Sequence, residues 1–189
     1  MRATPAALVL ALTAPAWAQQ GSQAADPRPP EQAAGQALTS CVAHAMGMAP
    51  IAAKNASALA ASGLVLMEAY PAFLRSQSQN EFGRGTFAQV HSTEGQVWAT
   101  GYDSGVCLVT VIGTPEGPVV QRLDQLFAIP GAWKPAKIKQ LPGARWSAYE
   151  WNSSHAKLTA QMRIAELAPD SPAQGFVSVT IAPKSKVSR

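Results

Sequence analysis

The chain is poor in cysteine, histidine and charge. Of 189 residues, two are cysteine and three are histidine, and Asp, Glu, Lys and Arg together make up only 14%. Cys41 and Cys107 stand far apart, so neither a C-x-x-C redox pair nor a C-x-x-C-H haem attachment site is present. No glycine-rich phosphate loop occurs, and no cofactor is called for. The net charge of +4 is mild. Lys and Arg are scattered from Arg28 to Arg189 and form no stripe, which argues against a nucleic-acid partner. The 11 acidic residues are dispersed too, and Glu150, between Trp146 and Trp151, is the only one flanked by aromatics. A glycosidase would need a second acid at a fixed distance from it.

Long apolar runs are also missing beyond the first residues. Met1-Arg2 precedes the charge-free run 6–12 and then Ala16-Trp17-Ala18, the small-x-small pattern of a signal-peptidase site. That run falls short of the ~20 residues a spanning helix needs. Residues 1–18 are therefore predicted to be a signal peptide, with no transmembrane segment left after cleavage and a periplasmic or secreted location. Leu38-Thr39-Ser40-Cys41 has the outline of a lipid-attachment box, but three prolines and the charges of Asp26, Arg28 and Glu31 separate it from the apolar run. Residues 19–30, rich in Pro and with little to bury, read as a flexible leader. Residues 31–183 read as a single domain, and 184–189 as a basic, solvated tail.

What is present is a clean change of period. In 31–48, Ala34, Leu38, Cys41, Val42 and Ala45 fall on one helical face, with Pro50 beyond. Residues 51–62 are alanine-rich and precede Gly63, which suits a helix C-terminus. Residues 64–67 run into a bend at Pro71, and 76–80 read as a loop. From Gly85 the alternation becomes that of strands, over 86–91, 96–101 and 106–112. The last of these is apolar on both faces and reads as a central strand. Residues 118–127 return to helix, with Val119, Leu123, Leu126 and Phe127 inward. A proline-rich loop over 129–143 carries Trp133. Strands follow over 145–151, 156–167 and 175–182, with Leu158, Ala160, Met162 and Ile164 predicted to share a buried face. The order implies an α+β fold with helices packed on one face of a twisted antiparallel sheet. Helix, strands, helix, strands also suggests a structural duplication, although no residue-level repeat is visible.

Each chemical constellation has a plainer reading beside it. Gly101-Tyr102-Asp103-Ser104-Gly105 lacks the spacing of a nucleophile elbow and joins two strands, so Ser104 belongs to a turn. Cys107, with His91 or His155 as a base, lies mid-strand in the most apolar run, unlike a reactive thiol. No catalytic residue is assigned. Cys41, His44 and Met46 are the weak candidates for a soft metal such as copper, since residues three apart on a helix share a side. Asn55-Ala56-Ser57 and Asn152-Ser153-Ser154 match glycosylation sequons. Export places both cysteines in an oxidising compartment, and each lies on the apolar face of its element, so a Cys41–Cys107 disulfide is predicted. Trp133, Tyr149 and Trp151 are the residues proposed as a contact surface, with Tyr149 and Trp151 on one side of a strand and Trp146 on the other. The sequence points to an exported envelope protein that binds or assembles, with an envelope protein or glycan as partner. An envelope-directed hydrolase and a soft-metal carrier are the alternatives.

Overall fold

The structure, a computed structural model, describes residues 26–68, 82–154, 156–165 and 175–184. The predicted signal peptide, the loop at 76–80, the link at 169–174, His155 and most of the basic tail lie outside the described residues. Helix α1 spans Pro30–Ala45. A 3-10 turn at Ala53–Asn55 leads into the short helix α2, Ala56–Ala61. Four strands follow: β1 (Leu64–Met67), β2 (Gly85–Val90), β3 (Gln96–Tyr102) and β4 (Cys107–Ile112). Helix α3 (Glu116–Phe127) precedes β5 (Lys134–Ala136), β6 (Ala144–Asn152), β7 (Lys157–Ala165) and β8 (Phe176–Pro183).

All eight strands form one antiparallel sheet in the order β1-β2-β3-β4-β8-β7-β6-β5. Each half of the chain is thus a helical segment followed by a four-stranded meander, and the last strands of the two meanders pair in the middle. Val109 opposes Val179 there, and Cys107 opposes Ile181. The run read as a central strand is central. The sequence expectation of an α+β fold with an antiparallel sheet is met, and the layout has the form of a duplication.

Strand alternation sorts the side chains onto two faces. Ala88, Val90, Val97, Ala99, Cys107, Val109, Val111, Val177, Val179 and Ile181 face α1 and α3, together with Leu158, Ala160, Met162 and Ile164, and all are buried. The predicted β7 register is therefore the observed one, with Lys157 and Gln161 exposed. Ala33, Ala34, Ala37, Leu38 and Cys41 of α1 are buried against this layer, their small side chains letting the helix lie close to the strands.

Several boundaries differ from the sequence reading, each for a physical reason. Helix α1 stops at Ala45, short of Met48, because Gly47 takes φ +73° and donates to the His44 carbonyl at 2.8 Å while Met48 N–H reaches the Ala43 carbonyl at 3.0 Å. That is a left-handed glycine cap. Its N-terminus is Pro30, whose missing N–H is no loss in a first turn. The ordered chain also begins before residue 31, since Arg28 N–H donates to the His91 carbonyl at 3.1 Å and its own carbonyl accepts from Thr93 N–H at 2.8 Å. Helix α3 starts two residues before Pro118, a position in its first turn that proline tolerates. Residues 64–67 form an edge strand, and the predicted loop at 129–143 contains the three-residue strand β5.

One inward assignment on α3 is corrected. Val119, Leu123 and Phe127 are buried, but Leu126 is only partly so and looks into a groove beside α1. Leu123→Ala should cost ~2 to 5 kcal/mol, and Leu126→Ala clearly less, about 1 kcal/mol. Urea denaturation of the two variants checks this; equal costs would put the helix face one position off.

Candidate functional site

The sulfurs of Cys41 and Cys107 are bonded, with their Cα atoms 5.2 Å apart. This is the predicted disulfide, and it removes three other roles considered for these residues. Cys107 has no free thiol to act as nucleophile, Cys41 is not a lipid-attachment cysteine, and no thiolate at Cys41 remains for a soft metal. Among the described residues, no group of three or more His, Cys, Asp or Glu is arranged to hold a metal ion.

His44, one turn on from Cys41, is buried and has its own structural duty. Ile51 N–H donates to Nδ1 at 3.0 Å, which leaves Nε2 to carry the proton and donate to the Tyr102 carbonyl at 3.1 Å. The ring fits only because position 101 is glycine: a Cβ there would lie 2.8 Å from both His44 Cε1 and Ile51 Cβ. Both ring nitrogens are engaged, so neither is available to a ligand. Met46 packs partly buried against the core. Burial pushes the His44 pKa below the usual imidazole value, against upward pulls from the carbonyls of Tyr102 and Val106 and the charge of Asp103.

The other sequence candidates are scattered. Ser104 sits exposed in the β3–β4 turn, with a 3.5 Å contact to the Phe82 carbonyl. Glu150 pairs with Lys184 at 3.1 Å. Asn55 is partly buried and donates to the Pro50 carbonyl at 2.7 Å, whereas Asn152 is exposed at the end of β6.

The aromatic candidates, in contrast, are brought together. The β6–β7 register sets Tyr149 opposite Ala160 and Trp151 opposite Leu158, on the helix-bearing face. Phe127, the last residue of α3, stacks on Tyr149 at 4.2 Å with the rings 7° from parallel. The chain then turns, and Trp133 meets Phe127 edge-on at 5.2 Å and Trp151 at 5.4 Å. Such pairs contribute about 0.5 to 1.5 kcal/mol each beyond their burial. Trp133, Tyr149 and Trp151 are each half-buried, packed on the core on one side and reaching solvent on the other. The Tyr149 hydroxyl donates to Asp124 Oδ1 at 3.0 Å, and burial together with the Asp124 charge raises its pKa, keeping the phenol protonated.

Beside this cluster, between α3 and β6, lies an open groove of about 560 Å³. Val120 and Ala128 give it apolar surface, Gln121, Asp124 and Gln125 its polar side, and Arg145 its far end, where it pairs with Glu116 at 2.7 Å. Ile129, just past α3, is 50% exposed. The sequence marked the aromatics but not this groove, which forms only where Arg145 of β6 comes to the exposed side of α3.

Trp146 lies on the opposite face of the sheet. There Arg163 stands 5.7 Å from its ring and 5.9 Å from the ring of Phe176, while Phe87 and Trp98 form a small separate cluster with Met67, Ile112 and Phe176. The face of β7 opposite its buried stripe is thus partly covered at Arg163.

The His44 arrangement has a defined pH consequence. Its pKa is lower folded than unfolded, so the unfolded chain binds the proton more readily. Stability is full above the unfolded value of about 6.5 and falls as pH drops from there towards the folded value. His44→Ala, which orphans the Ile51 N–H and leaves the Tyr102 carbonyl with Gly105 N–H as its donor, should cost about 1 to 3 kcal/mol at pH 8 and flatten the fall in stability between about pH 7 and pH 5. An unchanged pH slope in denaturant titrations would refute the assignment.

Comparison with protein-family models, curated proteins and solved structures finds no match to this chain.

Proposed function

We propose that the chain is an exported, non-enzymatic binding or assembly component of the cell envelope, contacting its partner through the aromatic end of the molecule where α3 meets β6. The observation that carries this reading is the clustering of Trp133, Tyr149 and Trp151 around Phe127 beside an open groove with apolar surface. Aromatic side chains fixed by packing lose little freedom on binding and present large contact areas, which is why they dominate interface energetics. Asp124 and Arg145 add polar ends that would orient a bound segment.

The disulfide supports export, because such bonds persist in oxidising compartments. No helix among the described residues is long and apolar enough to cross a membrane, in keeping with a role at the surface of the envelope or between its layers.

Site-specific photo-crosslinking in cells tests the reading. A photoreactive residue at Gln121, which lines the groove, should give one adduct of defined mass, and one at Ser57, exposed on α2, should give none. Ala128→Asp, which places a charge in the groove at an exposed position, should abolish the Gln121 adduct. No adduct from Gln121, or equal adducts from both positions, would overturn the proposal.

A further inference from the structure

The other flank of α3 faces α1 across a second groove, of about 530 Å³, and its lining is different in kind. Arg28, anchored before α1 in the first half of the chain, and Arg122, on α3 in the second, line the same space with Gln32, Gln36 and Thr39. The volume is within the range of small-molecule sites.

We propose that this groove binds a small oxyanion ligand, a carboxylate or a phosphate, between the guanidinium groups of Arg28 and Arg122. Neither arginine has a carboxylate within ion-pair distance among the described residues, where the two ion pairs engage Arg145 and Lys184 instead. Each guanidinium carries five donors in a planar fork suited to carboxylate or phosphate oxygens. Arg28 is held in place at two levels. Its backbone is bridged to residues 91 and 93, and its side chain donates to Gln36 Oε1, so less freedom is lost when a ligand binds.

Gly35 is the second observation. It lies within α1, where glycine is the least favourable residue after proline. A Cβ at this position would stand 3.3 Å from Arg122 Nε and 3.4 Å from Leu126 Cδ1. Its absence leaves room for Arg122 to lie close against α1. Glu31 also lines the groove, opposes anions and so limits how much negative charge the groove accepts.

The test is an NMR titration of the oxidised chain with inorganic phosphate and, separately, with citrate as a polycarboxylate probe. Saturable shifts of amides around residues 28–39 and 122–126 are expected, with the tighter probe identifying the phosphoryl or the carboxylate form of the ligand. Arg28→Gln and Arg122→Gln, both at exposed positions, should each weaken binding about tenfold. Glu31→Gln should tighten it, and Lys54→Gln, exposed and outside both grooves, should leave it unchanged. Shifts that fail to saturate with either probe, or that survive both arginine substitutions, would overturn the proposal.

Discussion

One turn of helix joins α1 to the middle of the sheet, and the rest of the structure depends on that junction. Cys41 is bonded to Cys107 on β4, and His44, three residues later, donates to the carbonyl of Tyr102 on β3. Gly101 and Cys107 are register partners, so the covalent bond and the close approach of the imidazole fall side by side on one face. Closing a loop across 66 residues removes unfolded-state entropy equivalent to about 4 kcal/mol at most. Set against a typical total of ~5 to 15 kcal/mol, that is a large fraction. His44 gives the buried Ile51 N–H its acceptor and ties the Tyr102 carbonyl, which also accepts from Gly105 N–H, to α1.

The position of α3 follows from this. Helix α3 lies beside α1 and buries Val119, Leu123 and Phe127, while its remaining faces border two grooves of contrasting chemistry. The groove towards β6 has apolar surface and adjoins the stacked aromatics; the groove towards α1 is polar and holds two arginines that have glutamine partners but no ion pair among the described residues. A helix packed between α1 and the β8 side of the sheet therefore gives the molecule two separate recognition surfaces. The duplicated layout explains why they differ: the two meanders are alike in topology, but only the second half supplies Trp133, Tyr149 and Trp151.

Much of the architecture was legible in the sequence because hydrophobic period reports burial directly. The switch from helical to alternating pattern near Gly85, the doubly apolar run at 106–112 and the Leu158, Ala160, Met162, Ile164 stripe each correspond to an observed face. The elements that escaped are those too short to show a period: β1 is a four-residue apolar run and β5 a three-residue strand containing Pro135. The two-cysteine count led to the disulfide, yet nothing in the sequence tied His44 to Ile51 and Gly101, since that fit depends on a glycine 57 positions away whose Cβ would collide with the ring. The grooves were invisible for the same reason. Their walls join residues such as Arg28 and Arg122, or Val120 and Arg145, that only the fold makes neighbours.

The central claim is that the α1 junction and the middle of the sheet form one cooperative unit. Native-state hydrogen exchange of the oxidised protein and of a Cys41→Ala/Cys107→Ala variant tests it most directly, because exchange resolves which segments open together. The structure predicts that amides of α1, β3 and β4 lose protection in the variant together and by a similar factor. Loss confined to α1, with β3 and β4 protected as before, would contradict it.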